Sequence, residues 1–516
     1  MKLLLKSSAL WSAIAVLFNT VMNLCIIPIV SNRIGIEAYG FVTLANTMIT
    51  YIDIISLAIN SFASRYVAVE YHKGKIESAK IYYSSVFIAN VLLSIIILAA
   101  MLVSVPNIQY FIKISKTLEN DVKLLFFTVF IRYVFVLLRS TFEIPAFIKN
   151  KIYLTEQIRT LSYIIQTLIL LVTCVILPAR VWYVGVASAV AALFMLLAEI
   201  TIAKRTTPNL YISVSNFSGK SLIKVISSGI WNSINNIGNQ LNSGLDLLIT
   251  NKMLTELALG LISVSKTFGS MCYILANSVG NALKPKQLEY YSRNDIKALV
   301  YEFKKAMRIT GVVCSIIIAG FYACGEDFLS LWIHTGNIDE IFRLSMIVLF
   351  GDIITGVVNP LFYVYTLSNK IKVPCIITLI LGFLNVLGMY VLISQTNLGI
   401  YAVVLTTVVL NMVHFIDTPL YSCYCLNLNY GTFYPTVFRH LFNTAVLLVL
   451  MRLMRNFSFY ADTWMKLGLK IIVCGVIEIL ISTVIMTTKN EKVYIFKKFN
   501  QRAIRLKNSS GMWRKK

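Results

Sequence analysis

Apolar runs of about 20 residues, each long enough to cross about 30 Å of hydrocarbon as a helix, recur from Ser8 to Met486 with short polar breaks between them. Read in order, they predict about fourteen membrane-spanning helices. The polar residues inside these runs are not scattered. At about 100° per residue, Ser228, Asn232, Asn236, Asn239, Ser243, Asp246 and Thr250 fall within about 40° of one line on the seventh predicted helix. Ile230, Ile234, Ile237, Leu241, Leu245 and Leu248 face the other way. Lipid cannot satisfy amides and carboxylates, so such a helix is expected to turn its polar line toward water or protein.

The same pattern returns elsewhere. The first helix aligns Ser8, Ser12, Asn19 and Asn23, and the second aligns Asn46, Thr50, Asp53, Asn60 and Ser64. The fourth carries Thr128, Arg132, Arg139 and Glu143, the eighth Lys266, Ser270, Tyr273 and Asn277, and the tenth Asp352, Asn359 and Tyr363. Interhelical hydrogen bonding at about 0.6 kcal/mol per contact would account for one stripe. Several stripes together predict a hydrated cavity lined by Asn19, Asn23, Asn46, Asp53, Asn60, Glu143, Asn232, Asn236, Asn239, Asp246, Asn277, Asp352 and Asn359.

Composition agrees with the pattern. Of 516 residues, 57% are hydrophobic and only 14% charged, with a mean hydropathy of +0.74, outside the range of soluble globular domains. The formal charge of +24 raises nucleic acid as a partner, until the 47 Lys and Arg are placed on the predicted topology with the N-terminus in the cytoplasm. Most then lie on the cytoplasmic side, as the positive-inside rule requires, so the basicity orients the chain and no nucleic acid is implied. An even number of spans puts both termini in the cytoplasm, and the chain is assigned to the cytoplasmic membrane. The N-terminal stretch is basic and then apolar over a full span, which reads as a retained anchor.

Arg132, Arg139 and Lys266 remain inside spans, where a charge costs about 2.5 to 3.5 kcal/mol on insertion scales and is a functional candidate by default. Arg139 and Glu143 are spaced to pair with each other, and Asp53, Asp246 or Asp352 could neutralise Lys266. Nine cysteines and four histidines lack metal-ligand spacing apart from Cys423-x-Cys425, which has no second pair, and no D-x-D occurs; neither a metal nor a cofactor is expected.

The chain also repeats. "SSALWSAI" at Ser7 to Ile14 mirrors "SSGIWNSI" at Ser227 to Ile234, Trp11 matching Trp231 and Asn19 matching Asn239. "KNKI" at Lys149 resembles "SNKI" at Ser368, and Ala38 and Gly40 match Ala258 and Gly260. Two six-helix halves of like orientation explain this, with parallel repeats about an axis along the membrane normal. The predicted organisation is therefore an all-α integral membrane fold: a six-helix lobe at 1–205, a second at 206–425, two additional helices at 426–488 and a basic cytoplasmic tail at 489–516, which sits against anionic lipid or serves as retention charge.

At "NRIGIEAYGFVTLANTMITYIDIISLAINSFASRYVAVEYHKGK", Asn32 to Lys75, the chain resembles the polysaccharide flippases of the multidrug/oligosaccharidyl-lipid/polysaccharide exporter superfamily. Arg33, Gly35, Tyr39 and Gly40 match its R-x-G-x-x-x-Y-G pattern; Arg65 and Gly74 follow, and Asp246, Gly260 and Pro285 fit the second half. The resemblance implies twelve helices in two lobes that carry undecaprenyl-pyrophosphate-linked oligosaccharide across the membrane by alternating access, without covalent chemistry. Arg132, Arg139 and Lys266 are the candidates for gripping the pyrophosphate. Membrane lipids, a coupling cation (H+ or Na+) and a polysaccharide polymerase are the further expected partners. A multidrug antiporter or a lipid II flippase of the same superfamily are the alternatives. A membrane glycosyltransferase or polymerase is disfavoured by the short outer loops and the missing acidic motif.

Overall fold

The computed structural model describes residues 8–457 and 461–487; the basic tail expected at 489–516 lies outside these. The described residues fold into α-helices and short 3-10 turns: α1 (Ser8–Arg33), α2 (Ile36–Asn60), α3 (Ala63–His72), α4 (Ile76–Ser104), α5 (Glu119–Phe142), α6 (Ile144–Ile148) and α7 (Ile152–Ile176). They continue with α8 (Trp182–Thr206), α9 (Gly219–Ser243), α10 (Leu245–Met253), α11 (Glu256–Ser292), α12 (Ile296–Trp332) and α13 (Ile338–Val358). The last are α14 (Phe362–Leu367), α15 (Lys372–Gln395), α16 (Ile400–Asn411), α17 (His414–Cys425), α18 (Tyr434–Phe457) and α19 (Trp464–Met486).

Among the described residues, 12 helices are long and apolar enough to cross a membrane. The rods α5 and α9 are not among them, although they have 24 and 25 residues, a spanning length. They fall short because they carry the polar residues singled out above. The expectation of fourteen spans depends on counting these two.

The internal repeat is visible in where helices start. Helices α2, α4, α5 and α7 begin at Ile36, Ile76, Glu119 and Ile152; α11, α12, α13 and α15 begin at Glu256, Ile296, Ile338 and Lys372, each 219 or 220 residues farther on. The turns correspond as well. Gly74 (φ 75°) precedes α4 and Asn294 (φ 56°) precedes α12, while Asn150 and Asn369, both at φ 54°, precede α7 and α15. A left-handed residue admits Gly or Asn at little cost, so these four positions mark one turn design used twice.

The R-x-G-x-x-x-Y-G pattern now has a physical account. The Arg33 guanidinium donates to the Cys174 carbonyl near the end of α7, and Gly35 adopts φ 124°, which a side chain rarely permits, to turn α1 into α2. The buried Tyr39 lies with its hydroxyl 3.4 Å from Thr267 Oγ1. A Cβ on Gly40 would sit 2.9 Å from the backbone nitrogen of Gly260, so two repeat-related glycines let α2 and α11 touch backbone to backbone.

The chain packs as two compact units. Among the described residues the first comprises 8–268, 332–347 and 371–410, the second 269–331, 348–370, 411–457 and 461–487. In the second unit, α19 inverts the amphipathicity of a soluble helix. Lys470, Cys474, Glu478 and Ser482 are buried, whereas Leu469, Ile472, Val476, Ile479 and Leu480 are exposed. Lys470 Nζ donates to Asp327 Oδ2 at 2.8 Å, Asn443 on α18 donates to Ser482, and Arg455 pairs with Glu326 at 2.5 Å. Lys466, beside them in sequence, instead makes a surface pair with Asp462.

Candidate functional site

The polar line of α9 belongs to the first unit, and its surroundings explain the asparagines. One flank of the helix rests on α2: Ser233 Oγ donates to the Ile54 carbonyl at 2.7 Å, Thr50 donates to Gln240 at 3.0 Å, and Gly229 lies against Ala58 and Ser61. The other flank rests on α15, where Gly238 lies against Thr378 and Leu379, Gly382 lies against Leu241, and Asn385 donates to the Asn242 carbonyl. Small residues on each flank allow these close approaches. Between the flanks, Asn232 and Asn239 stay exposed and Asn236 half-buried, while Ile230 and Ile237 are 44% and 37% exposed on the opposite side. Two exposed faces of contrary polarity on one helix suit water on one side and hydrocarbon on the other.

At its end α9 breaks. The Tyr51 hydroxyl donates to the Gly244 carbonyl at 2.6 Å, and α10 restarts at Leu245 with the buried Asp246 in its first turn. Lys266 Nζ donates to Asp246 Oδ2, and the Leu247 amide donates to Oδ1 at 2.8 Å. Asp246 is thus one of the acids that neutralise Lys266. Asp53 is occupied otherwise, accepting from the Tyr133 hydroxyl at 2.8 Å and from Ser56 at 2.5 Å.

Arg132 on α5 donates to Asn46 Oδ1 on α2 at 2.7 Å, bringing two sequence candidates together. Asn60 and Asn90 exchange amide hydrogen bonds at 3.1 and 2.9 Å, and Ser140 donates to Asn60 at 3.0 Å, which ties α2, α4 and α5 into one polar node. Arg139 meets Glu143 at 2.5 Å and Glu199 of α8 at 3.2 Å. Arg159 meets Glu156 at 3.1 Å and lies 4.0 Å from Glu143. Asn60, Ser64, Ser140, Glu143, Glu156 and Arg159 line a cleft of about 240 Å³ beside this network.

Of the remaining candidates, Asn19 and Asn23 lie on α1, half-buried and exposed. Asn277, Asp352 and Asn359 belong to the second unit, where Asp352 Oδ1 accepts from Thr355 at 3.3 Å. Helical periodicity had not singled out Tyr51, Asn90, Tyr133, Glu156, Arg159 or Glu199. Glu199 did carry a signal, as a lone acid deep in an apolar run.

Spanning helices with a polar face held clear of helix packing define an all-helical, multi-pass membrane protein built to keep polar surface accessible between apolar walls. The chain belongs to the polysaccharide biosynthesis protein family, which matches it over residues 5–287. The uncharacterized membrane protein EpsK of Bacillus subtilis (strain 168) is 26% identical over 408 residues, covering 79% of this chain and 81% of that one. In fold the chain is similar to the lipid II flippase MurJ in an inward closed conformation, at a TM-score of 0.66 and 15% identity over 92% of this chain and 98% of that one. It is also similar to an inward-facing multidrug resistance MATE family transporter of the MOP superfamily, at a TM-score of 0.61 and 15% identity over 80% and 94% of the two chains. The expected polysaccharide family and the all-helical membrane fold are borne out.

Proposed function

We infer that this protein is a flippase that moves undecaprenyl-pyrophosphate-linked oligosaccharide units across the cytoplasmic membrane for cell-surface polysaccharide synthesis. The reading rests on one observation above the rest: the accessible Asn232–Asn236–Asn239 face of α9, backed by exposed isoleucines on the far side. A sugar unit presents many hydroxyls, each costing about 2 to 7 kcal/mol if carried unbonded into an apolar medium, and a hydrated polar face removes that barrier. Membership of the polysaccharide biosynthesis family supports the substrate class.

In this reading Arg132, Arg139 and Lys266 meet the pyrophosphate and the prenyl tail stays in lipid. Of about fourteen helices, twelve form two repeat lobes, 1–205 and 206–425, and two more at 426–488 are appended. Both termini are cytoplasmic, alternating access is driven by H+ or Na+, and a polysaccharide polymerase takes up the delivered units. The similarity to MurJ favours lipid II transport as the second reading. Mass spectrometry of lipid-linked intermediates in a deletion strain tests both. Accumulation of undecaprenyl-pyrophosphate oligosaccharides of the surface polymer is expected; accumulation of lipid II, or unchanged lipids with heightened drug sensitivity, overturns the assignment.

A further inference from the structure

The cations nominated from the sequence all have partners inside the protein: Arg132 with Asn46, Arg139 with Glu143 and Glu199, and Lys266 with Asp246. Cations differently situated border a second cleft of the first unit, about 300 Å³, between α3 and the start of α9. Arg65, Lys73 and Lys224 line it, together with Tyr66, Glu70, Ser228, Phe62 and Val69. Among the described residues Arg65 and Lys224 enter no ion pair; Lys73 lies 3.7 Å from Glu70, and Lys224 sits 5.6 Å above the Tyr66 ring. Three cations against one carboxylate leave two positive charges in excess.

We propose that this cleft is a docking site for the diphosphate headgroup of a prenyl-diphosphate lipid, occupied before the headgroup reaches the polar face of α9. The proposal rests on the flippase reading above. Charge fits: a diphosphate esterified at both ends carries about two negative charges near neutral pH. Donors fit as well, because Arg65 offers a planar fork and Lys73 and Lys224 offer point charges. Tyr66 and Ser228 add hydroxyls 2.9 Å apart on the cleft wall, where Ser228 Oγ donates to the Lys224 carbonyl at 3.1 Å and so ties the start of α9 to Tyr66. Apolar rim residues suit a lipid-borne anion better than a free one, since Val69 is 41% exposed and Phe62 half-buried. Ser228 is also the first residue of the α9 stripe, so the cleft lies at the foot of Asn232, Asn236 and Asn239. On the expected topology that end faces the cytoplasm, where the lipid-linked unit is made.

The test is equilibrium binding to the purified full chain in nanodiscs, read by native mass spectrometry, with undecaprenyl diphosphate, undecaprenyl monophosphate and dioleoyl phosphatidylglycerol as probes. The diphosphate is expected to bind best. Arg65→Ala and Lys224→Ala should each weaken it about tenfold and together about a hundredfold, the scale of lost charge-assisted hydrogen bonds. The charge-matched surface change Arg293→Ala should leave it unaltered. Arg65→Lys should recover part of the binding, which a loss of folding would not allow. Binding that survives the double variant overturns the cleft alone, as does a diphosphate no better held than the monophosphate or phosphatidylglycerol. Failure of the diphosphate to bind the unmodified chain would instead remove the substrate reading on which the proposal stands.

Discussion

At the scale of single residues, the cations inside the spans separate into two kinds. Lys266 and Asp246 neutralise each other beside the break between α9 and α10, so removing one leaves the other stranded at a cost of about 3 to 5 kcal/mol. Lys266→Ala should therefore deplete folded protein, and adding Asp246→Asn should restore it, as read by size-exclusion chromatography of a fluorescent fusion. Arg132 donates to a neutral amide, Asn46, and no acid need be left unbalanced when it is replaced. Arg132→Ala should then keep the folded amount and lose transport, while Arg132→Lys, which gives up the bidentate fork but keeps the charge, should retain part of it. Lipid-linked oligosaccharide uptake into vesicles against the amount of folded protein checks both. The spacing of Arg139 and Glu143 was readable in the sequence; the approach of Glu199 from α8 was not, since it lies 60 positions from Arg139 in the chain and only helix packing brings it to 3.2 Å.

At the scale of elements, small residues decide how closely helices approach. A methyl on Gly40 would press on the Gly260 backbone, so Gly40→Ala should cost about 1 to 3 kcal/mol, and Gly40→Leu should abolish folding. Gly475 on α19 has nothing within 4 Å of its would-be Cβ; Gly475→Ala should be neutral or stabilising by up to about 1 kcal/mol. Thermal unfolding of the detergent-solubilised variants distinguishes the two positions. Periodicity alone draws the polar line through Asn232, Asn236 and Asn239, but it carries that line past the break at Gly244 to Asp246 and Thr250, which are buried on α10. It did not show which side of that line touches α2 and which touches α15, because glycines and serines on both flanks carry little hydropathy signal. Lys470 and Glu478 stand out in the sequence against strongly apolar neighbours, but only the packing of α19 shows that they form one buried row with Cys474 and Ser482.

At the scale of the whole molecule, the loops holding Arg65 to Lys80, Lys204 to Lys224 and Lys284 to Arg308 hold much of the positive charge and should face the cytoplasm. Single cysteines at Asn107 and Gly336 should react with an impermeant thiol reagent in intact cells, and one at Asn294 should not; the reverse pattern would invert the topology. The sequence by itself determined the membrane class, the internal repeat and the polar stripes. Hydropathy, turn residues and a 3.6-residue period are local properties, and a span must satisfy its backbone within itself. What only the tertiary structure decided is which polar atoms are already satisfied. Asp246 rather than Asp53 takes Lys266, Asn46 takes Arg132, and Arg65 and Lys224 are left beside an open cleft. Those outcomes depend on distances between helices far apart in the chain, which are set by the packing of whole faces and which no local pattern encodes.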